Sequence, residues 1–270
     1  MKSKLLSVCV AGALALTSFS AFAEFKDWKI NETAVPGVVG GSTSKTVDKL
    51  TGAYTEVLGL TGPGAFSASA VGFFTGYLRN EGTLGVTTWL TGGLGADDLD
   101  TRFYRMYAKF VASGVASSTT TFLGTGGKIE IWLDEGSDTE FNITSSSSFT
   151  TFQSASAGGG EDKLLAWSDV SYGTGDLVGP PGAFNIFFEE LSLTALGSSY
   201  WFDPAPFHMR VQTNGDFDAI TPTTGGATDP FPYLITGDFS AVYVPEPGSL
   251  ALVGLGMAGL GLLSRRRRAK

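Results

Sequence analysis

Between Arg102 and Ala112 every even position from Tyr104 on is apolar: Tyr104, Met106, Ala108, Phe110 and Ala112. The odd positions mix Phe103, Arg105, Tyr107, Lys109 and Val111. A repeat of two, rather than 3.6, gives an extended chain one buried and one solvated face, so this segment reads as a half-buried strand. The same pattern recurs where Lys128, Glu130, Trp132 and Asp134 alternate with Ile129, Ile131 and Leu133. There the run Asp134-Glu135-Gly136-Ser137-Asp138 predicts a turn. Further on, Phe207, Met209 and Val211 alternate with His208, Arg210 and Gln212, and Asn214-Gly215 predicts a hairpin turn. Weaker runs are Tyr54 to Leu60, Phe66 to Leu78, Thr83 to Leu90, Lys163 to Val170, Ala183 to Leu193 and Tyr233 to Val244. Leu164 to Val170 and Ala183 to Leu193 also fit short helices. Strand-like segments separated by Gly, Pro, Ser and Asp clusters predict an all-β chain, folded as an antiparallel β-sandwich or jelly roll.

Composition narrows the function classes. With one Cys, one His and a formal net charge of -8 in 270 residues, a disulfide scaffold, a zinc-cysteine module and a basic nucleic-acid binder are excluded. The length suits one large all-β domain or two small ones. Ser154 to Gly160 is the best candidate linker, and it reads equally well as a long loop. Ser117 to Thr121 and Ser145 to Ser148 read as solvated loop or strand edge.

The ends differ from the middle. Lys2 and Lys4 precede an apolar run from Leu5 to Leu16, and Ala21-Phe22-Ala23 offers small residues to a signal peptidase, which predicts a signal peptide over 1–23. Cys9 leaves with it. At the other end Val244-Pro245-Glu246-Pro247 is followed by an uncharged stretch, Leu250 to Leu263, and then by Arg265, Arg266, Arg267 and Arg268. As a hydrophobic helix that stretch spans about 21 Å, short of the ~30 Å hydrocarbon core, so it suits a transient stop in the membrane with the basic cluster kept cytoplasmic. Motif, apolar segment and basic cluster together resemble the PEP-CTERM sorting signal of exopolysaccharide-producing Gram-negative bacteria. That resemblance implies processing by an exosortase. The expected organisation is therefore signal peptide 1–23, extracellular domain 24–243 and sorting signal 244–270.

Residues 1–23 and 248–270 carry basic side chains and no acid. Without them, residues 24–247 hold 11 basic and 26 acidic side chains, a net charge of -15. Such a chain repels nucleic acid and anionic membranes and attracts divalent cations.

Candidate chemistry is sparse. A triad would have to use His208, which lies in a strand pattern. Among the acids, Glu130, Asp134, Glu189 and Glu190 form no distinguished glycosidase pair. Calcium has three candidate clusters: Asp97-Asp98-Leu99-Asp100, Asp134 with Asp138 and Glu140, and Asn214-Gly215-Asp216-Phe217-Asp218. The third begins like an EF-hand loop but lacks its later glycine and distal acid. Each also reads as a turn with solvated acids. The tryptophans Trp28, Trp89, Trp132, Trp167 and Trp201 read first as core, with sugar stacking as the alternative.

A second resemblance involves the segments Phe25-Lys26-Asp27-Trp28-Lys29-Ile30-Asn31-Glu32-Thr33-Ala34-Val35-Pro36-Gly37 and Asp48-Lys49-Leu50-Thr51-Gly52-Ala53-Tyr54-Thr55-Glu56. They resemble the flocculation-associated PEP-CTERM proteins of floc-forming bacteria. This implies a secreted, non-enzymatic protein of the exopolysaccharide matrix, with no catalytic residues to assign. The expected partners are signal peptidase, exosortase and exopolysaccharide.

Overall fold

Strands of up to 15 residues, far longer than the 5 to 6 usual in globular proteins, set the architecture. In the computed structural model the described residues are 26–36, 41–62, 64–80, 82–86, 88, 90, 104–118, 121–135, 139, 141–142, 153–154, 162–176, 182–204, 209–217 and 233–243. The chain begins with β1 (Trp28–Ile30), a 3-10 turn (Glu32–Ala34), β2 (Lys45–Val47), β3 (Lys49–Gly62), β4 (Ala65–Arg79) and β5 (Leu84–Val86). Next come β6 (Tyr104–Ala116), β7 (Thr121–Glu135), the two-residue strands β8 (Phe141–Asn142) and β9 (Gln153–Ser154), β10 (Lys163–Ser168) and β11 (Val170–Asp176). Then follow β12 (Gly182–Glu189), β13 (Ser192–Leu193), α1 (Ala195–Tyr200), β14 (Trp201–Asp203), β15 (Met209–Phe217) and β16 (Tyr233–Tyr243).

Eight of these strands close on themselves. The hydrogen-bonded order runs β3, β4, β6, β7, β11, β12, β15, β16, each antiparallel to the next, and β16 returns to β3 from Tyr233↔Leu58 to Val242↔Lys49. This is an up-and-down barrel, and it corrects the expected sandwich or jelly roll. The physical reason lies in β7, which divides its pairing. Its first residues, Thr121 to Gly124, pair with β11, whereas Ile129 to Leu133 pair with β10. Glycines let it do so: a Cβ on Gly124 would stand 3.1 Å from the Gly173 nitrogen, and one on Gly127 2.6 Å from the Val111 carbonyl oxygen. The sheet curls there instead of ending at an edge, which removes the unpaired rim that a sandwich leaves open. Gly64, at φ +73°, turns β3 into β4.

The expected alternation holds strand by strand. Tyr104, Met106, Ala108, Phe110 and Ala112 of β6 are all buried, as are Ile129, Ile131 and Leu133 of β7. Both segments with a helical alternative prove to be largely strand, in β10 with β11 and in β12 with β13. The hairpin expected at Asn214-Gly215 is absent, because both residues sit inside β15, paired on one side with Asn185 and Phe184 and on the other with Asp238 and Gly237. Ladder hydrogen bonds to two neighbours override the local turn preference. Residues 117 and 118 do form a turn, Ser117 N–H donating to the Thr121 carbonyl at 2.8 Å.

One end of the barrel is stoppered. β1 joins β14 and β2 in a three-stranded sheet, and with the 3-10 turn and α1 it covers the end where β3 begins and β16 finishes. Trp28, Ile30, Val35, Val47, Tyr200 and Trp201 belong to the same buried cluster as Leu50, Tyr77, Tyr104 and Met106 at that end. Thr194 caps α1 by accepting the Gly197 N–H at 3.1 Å, and its hydroxyl donates to the Leu164 carbonyl at 2.8 Å. Outside, the strands carry Lys49, Arg105, Lys109, Lys128, Glu130, Arg210 and Asp238 at exposed or half-exposed positions. The inward face is thus largely apolar and the outer face mixed, with Val111, Val115, Leu123 and Tyr172 exposed among these charges.

Candidate functional site

Along β3 the inward positions are Leu50, Gly52, Tyr54 and Glu56, so a carboxyl occupies a place the alternation reserves for an apolar side chain. Glu56 is 2% exposed, and its Oε2 has no hydrogen-bond partner. Burial alone pushes its pKa up to about 8, so the carboxyl is mostly protonated at neutral pH. It faces a hollow of about 50 Å³ lined chiefly by carbon, including Phe66, Ala112, Phe122 and Ile186. Four glycines without side chains, Gly124, Gly126, Gly173 and Gly175, form part of its wall. Phe66 and Phe122 meet edge to face at 5.4 Å, and the Phe66 ring lies over Gly114, where a Cβ would come within 2.3 Å of it. Toward the stoppered end the interior is filled. Tyr54 contacts Phe110 at 5.0 Å and Phe239 at 6.2 Å, and Phe110 contacts Phe188 at 5.7 Å.

The stopper holds a second polar group. Glu32, fully buried, pairs with Lys45 at 2.9 Å and accepts from Ser42 N–H at 3.2 Å. Next to it the Tyr104 and Tyr200 hydroxyls lie 2.6 Å apart, and Trp201 Nε1 donates to the Tyr77 hydroxyl at 3.0 Å. Burial first, then neighbouring phenols and Glu32, raise the pKa of Tyr77, Tyr104 and Tyr200, so these remain neutral hydroxyls that tie the stopper to the barrel wall. The first segment of the second sequence resemblance forms part of this stopper: Trp28–Ile30 pairs with Lys45–Val47, just ahead of the second segment, whose Asp48 accepts Gly82 N–H with both carboxylate oxygens at 3.2 Å.

The outer surface carries most of the candidates named from the sequence. Glu130 on β7 accepts from Lys128 at 2.6 Å and from Trp132 Nε1 at 3.2 Å. Burial tends to raise its pKa, but Lys128, Trp132 and Lys109 outweigh that and lower it. Glu189 pairs with Arg210 and accepts from the Tyr172 hydroxyl at 3.2 Å. Asp134 is buried and accepts Thr139 N–H at 3.0 Å, while Asp162 accepts the Tyr107 hydroxyl at 2.6 Å. Asp138, Asp218 and His208 lie outside the described residues, as does the cluster Asp97 to Asp100. Asp216 is placed only by its backbone in β15. Among the described residues no group of three or more Asp, Glu, His or Cys is placed to hold a metal ion. Trp28 and Trp201 are core, Trp132 is half-buried, Trp167 is 38% exposed, and Trp89 lies outside the described residues.

Glu56 was within reach of sequence reasoning. The signal is a lone carboxylate in phase with Leu50 and Tyr54, which a reading by charge clusters passes over.

The geometry defines a class: a closed eight-stranded β-barrel, stoppered at one end, with an apolar hollow lined, among the described residues, by one carboxyl. Residues 244–268 match the family profile of the PEP-CTERM protein-sorting motif, so the chain carries the sorting signal that its tail resembles. That motif implies export, an exosortase as processing partner, and a cell-surface or extracellular destination. No curated protein and no solved structure matches the chain. The three parts of the motif, Val244 to Pro247, the apolar stretch and Arg265 to Arg268, lie outside the described residues, as do Ala21 and Ala23 at the expected signal-peptide junction. Among the described residues no helix is long and apolar enough to cross a membrane.

Proposed function

We propose that this protein is a non-enzymatic component of the exopolysaccharide or floc matrix, delivered by exosortase processing and acting through its acidic barrel surface. The observation that carries the reading is the sorting motif at 244–268. The excess of 26 acidic over 11 basic residues in 24–247 supports the mechanism: divalent cations bridge surface carboxylates to anionic polysaccharide. Calcium then acts as a bridging ion at the surface rather than as a bound cofactor. The test is co-sedimentation of the mature protein with exopolysaccharide from the producing cells, with calcium and with chelator. Calcium-dependent co-sedimentation is expected. Absence of binding in both conditions overturns the proposal.

One observation favours a second reading, a carbohydrate-binding or glycoside-acting surface. On β7 and β10 the half-buried Trp132 and exposed Trp167 flank Glu130, since Trp167 is the cross-strand partner of Glu130 and Trp132 pairs with Leu164. Aromatic faces of this kind stack on sugar rings. Calcium-independent binding to a glycan panel, lost in Trp167→Ala, would support this reading over the first.

A further inference from the structure

An isolated carboxyl inside an apolar barrel is a costly arrangement that nothing in the stopper or the wall requires. The neighbouring inward positions show what the fold does when it only needs to pack: Leu50, Ala70, Phe110, Ile129, Phe188 and Val211 are all apolar and fully or almost fully buried. Glu32, the other buried carboxylate singled out, is held by Lys45 and a backbone N–H, whereas the Oε2 of Glu56 has no donor at all. The space in front of it is real. About 10–15 Å³ suffices for one water, and the hollow offers about 50 Å³. An unfilled hollow with an unpartnered acceptor at its inner side and aromatic rings further out has the layout of a small-molecule site, with apolar walls and one orienting polar group.

We propose that the glycine-lined hollow binds a small amphiphile bearing one amine, whose ammonium group pairs with Glu56 while its hydrocarbon part packs against Phe66, Phe122 and Ile186. Three observations select this chemistry. Once ionised, the unpartnered carboxyl only accepts, so the ligand must bring donors and a compensating positive charge, which an ammonium supplies together. The remaining lining is carbon, so the rest of the ligand must be apolar. The chain around it is strongly acidic, net -15 over 24–247, which favours a cation and disfavours a fatty carboxylate. Where Glu56 still holds its proton, below about pH 8, docking the ammonium requires the carboxyl to give that proton to solvent, so up to one proton leaves for each amine bound. Among the described residues that line the hollow, Tyr172 on β11 is the one titratable side chain besides Glu56, while Tyr54 lies inward two residues away on the same strand. The charged side chains of the surrounding strands, among them Lys49, Arg105, Lys109, Lys128, Glu130 and Glu189, stand at exposed or half-exposed positions.

The experiment titrates mature protein, recovered from outside the producing cells, with n-octylamine, n-octanol and n-octanoate by calorimetry at pH 6 and pH 8.5. Octylamine is expected to bind at least tenfold more tightly than octanol, with octanoate weakest. Octylamine affinity should fall by up to tenfold per pH unit below about 8, where Glu56 holds its proton. In Glu56→Gln, which keeps size and shape, the preference for amine and the pH dependence should both disappear while octanol binding persists. Equal binding of the three probes, no binding of any, or an unchanged amine preference in Glu56→Gln each overturns the proposal. Because none of these readouts involves polysaccharide, the outcome is independent of the matrix role.

Discussion

Glu56 sets the chemistry of the barrel interior and also its response to pH. In the unfolded chain a glutamate titrates at its ordinary value of 4.5, whereas the folded carboxyl holds its proton up to about 8. Between those values the folded state binds the extra proton, so stability contributed at this position is full below pH 4.5 and is lost as pH rises toward 8. The loss is of the order of a few kcal/mol. Glu56→Leu is therefore expected to raise the melting temperature markedly at pH 8 and hardly at all at pH 4.5, read as the difference between variant and parent thermal scans. A gain that is equal at both pH values would show that the effect is one of packing alone. Inward-facing Tyr54 and outward-facing Lys109 were legible from alternation, because a residue's parity within a strand is local information. The role of Glu56 was not, since nothing in Leu50 to Glu56 tells whether the facing strands supply a partner, a filler or a space.

At the scale of elements, the strands were legible and their closure was not. The alternation at β6, β7 and β15 fixed which face of each turns inward, but a sandwich and a barrel present the same alternation. What distinguishes them is the pairing of β7 with β11, made by glycines at 124 and 173 some fifty residues apart in the chain. The hairpin expectation at Asn214-Gly215 fails for a related reason, because ladders on both sides of β15 are long-range contacts. Closure between β3 and β4 depends on a similar close approach: the Phe239 ring lies over Gly52 and Gly72, and a Cβ at Gly72 would stand 2.4 Å from the Ala53 carbonyl oxygen and 2.6 Å from Phe239 Cε1. Gly72→Ala should cost about 1–3 kcal/mol through this overpacking. Phe239→Ala should cost about 3–5 kcal/mol by leaving a cavity among Tyr54 and Phe74. Chemical denaturation with an unchanged slope is the check, and a neutral Gly72→Ala would mean that β3 yields at Ala53 and Tyr54 as readily as the Phe239 ring does.

For the whole molecule, the sorting motif places the protein outside the cytoplasmic membrane and makes the mature mass informative. Intact-mass analysis of protein from the cell exterior should show a start at Glu24 and an end near Pro247, and Arg265 to Lys270 should be retained when the exosortase is removed. Retention of those residues in the presence of the enzyme would make the tail a plain anchor. The direction of β16 gives this processing a geometry. The strand runs from the hollow end to the stoppered end, where Val242 pairs with Lys49 and the Lys26 ammonium lies 4.9 Å from the centre of the Tyr243 ring. The sorting motif begins at the very next residue, Val244. The segment on which the membrane enzyme acts therefore follows directly from the stoppered end of the barrel, opposite the end that holds the hollow.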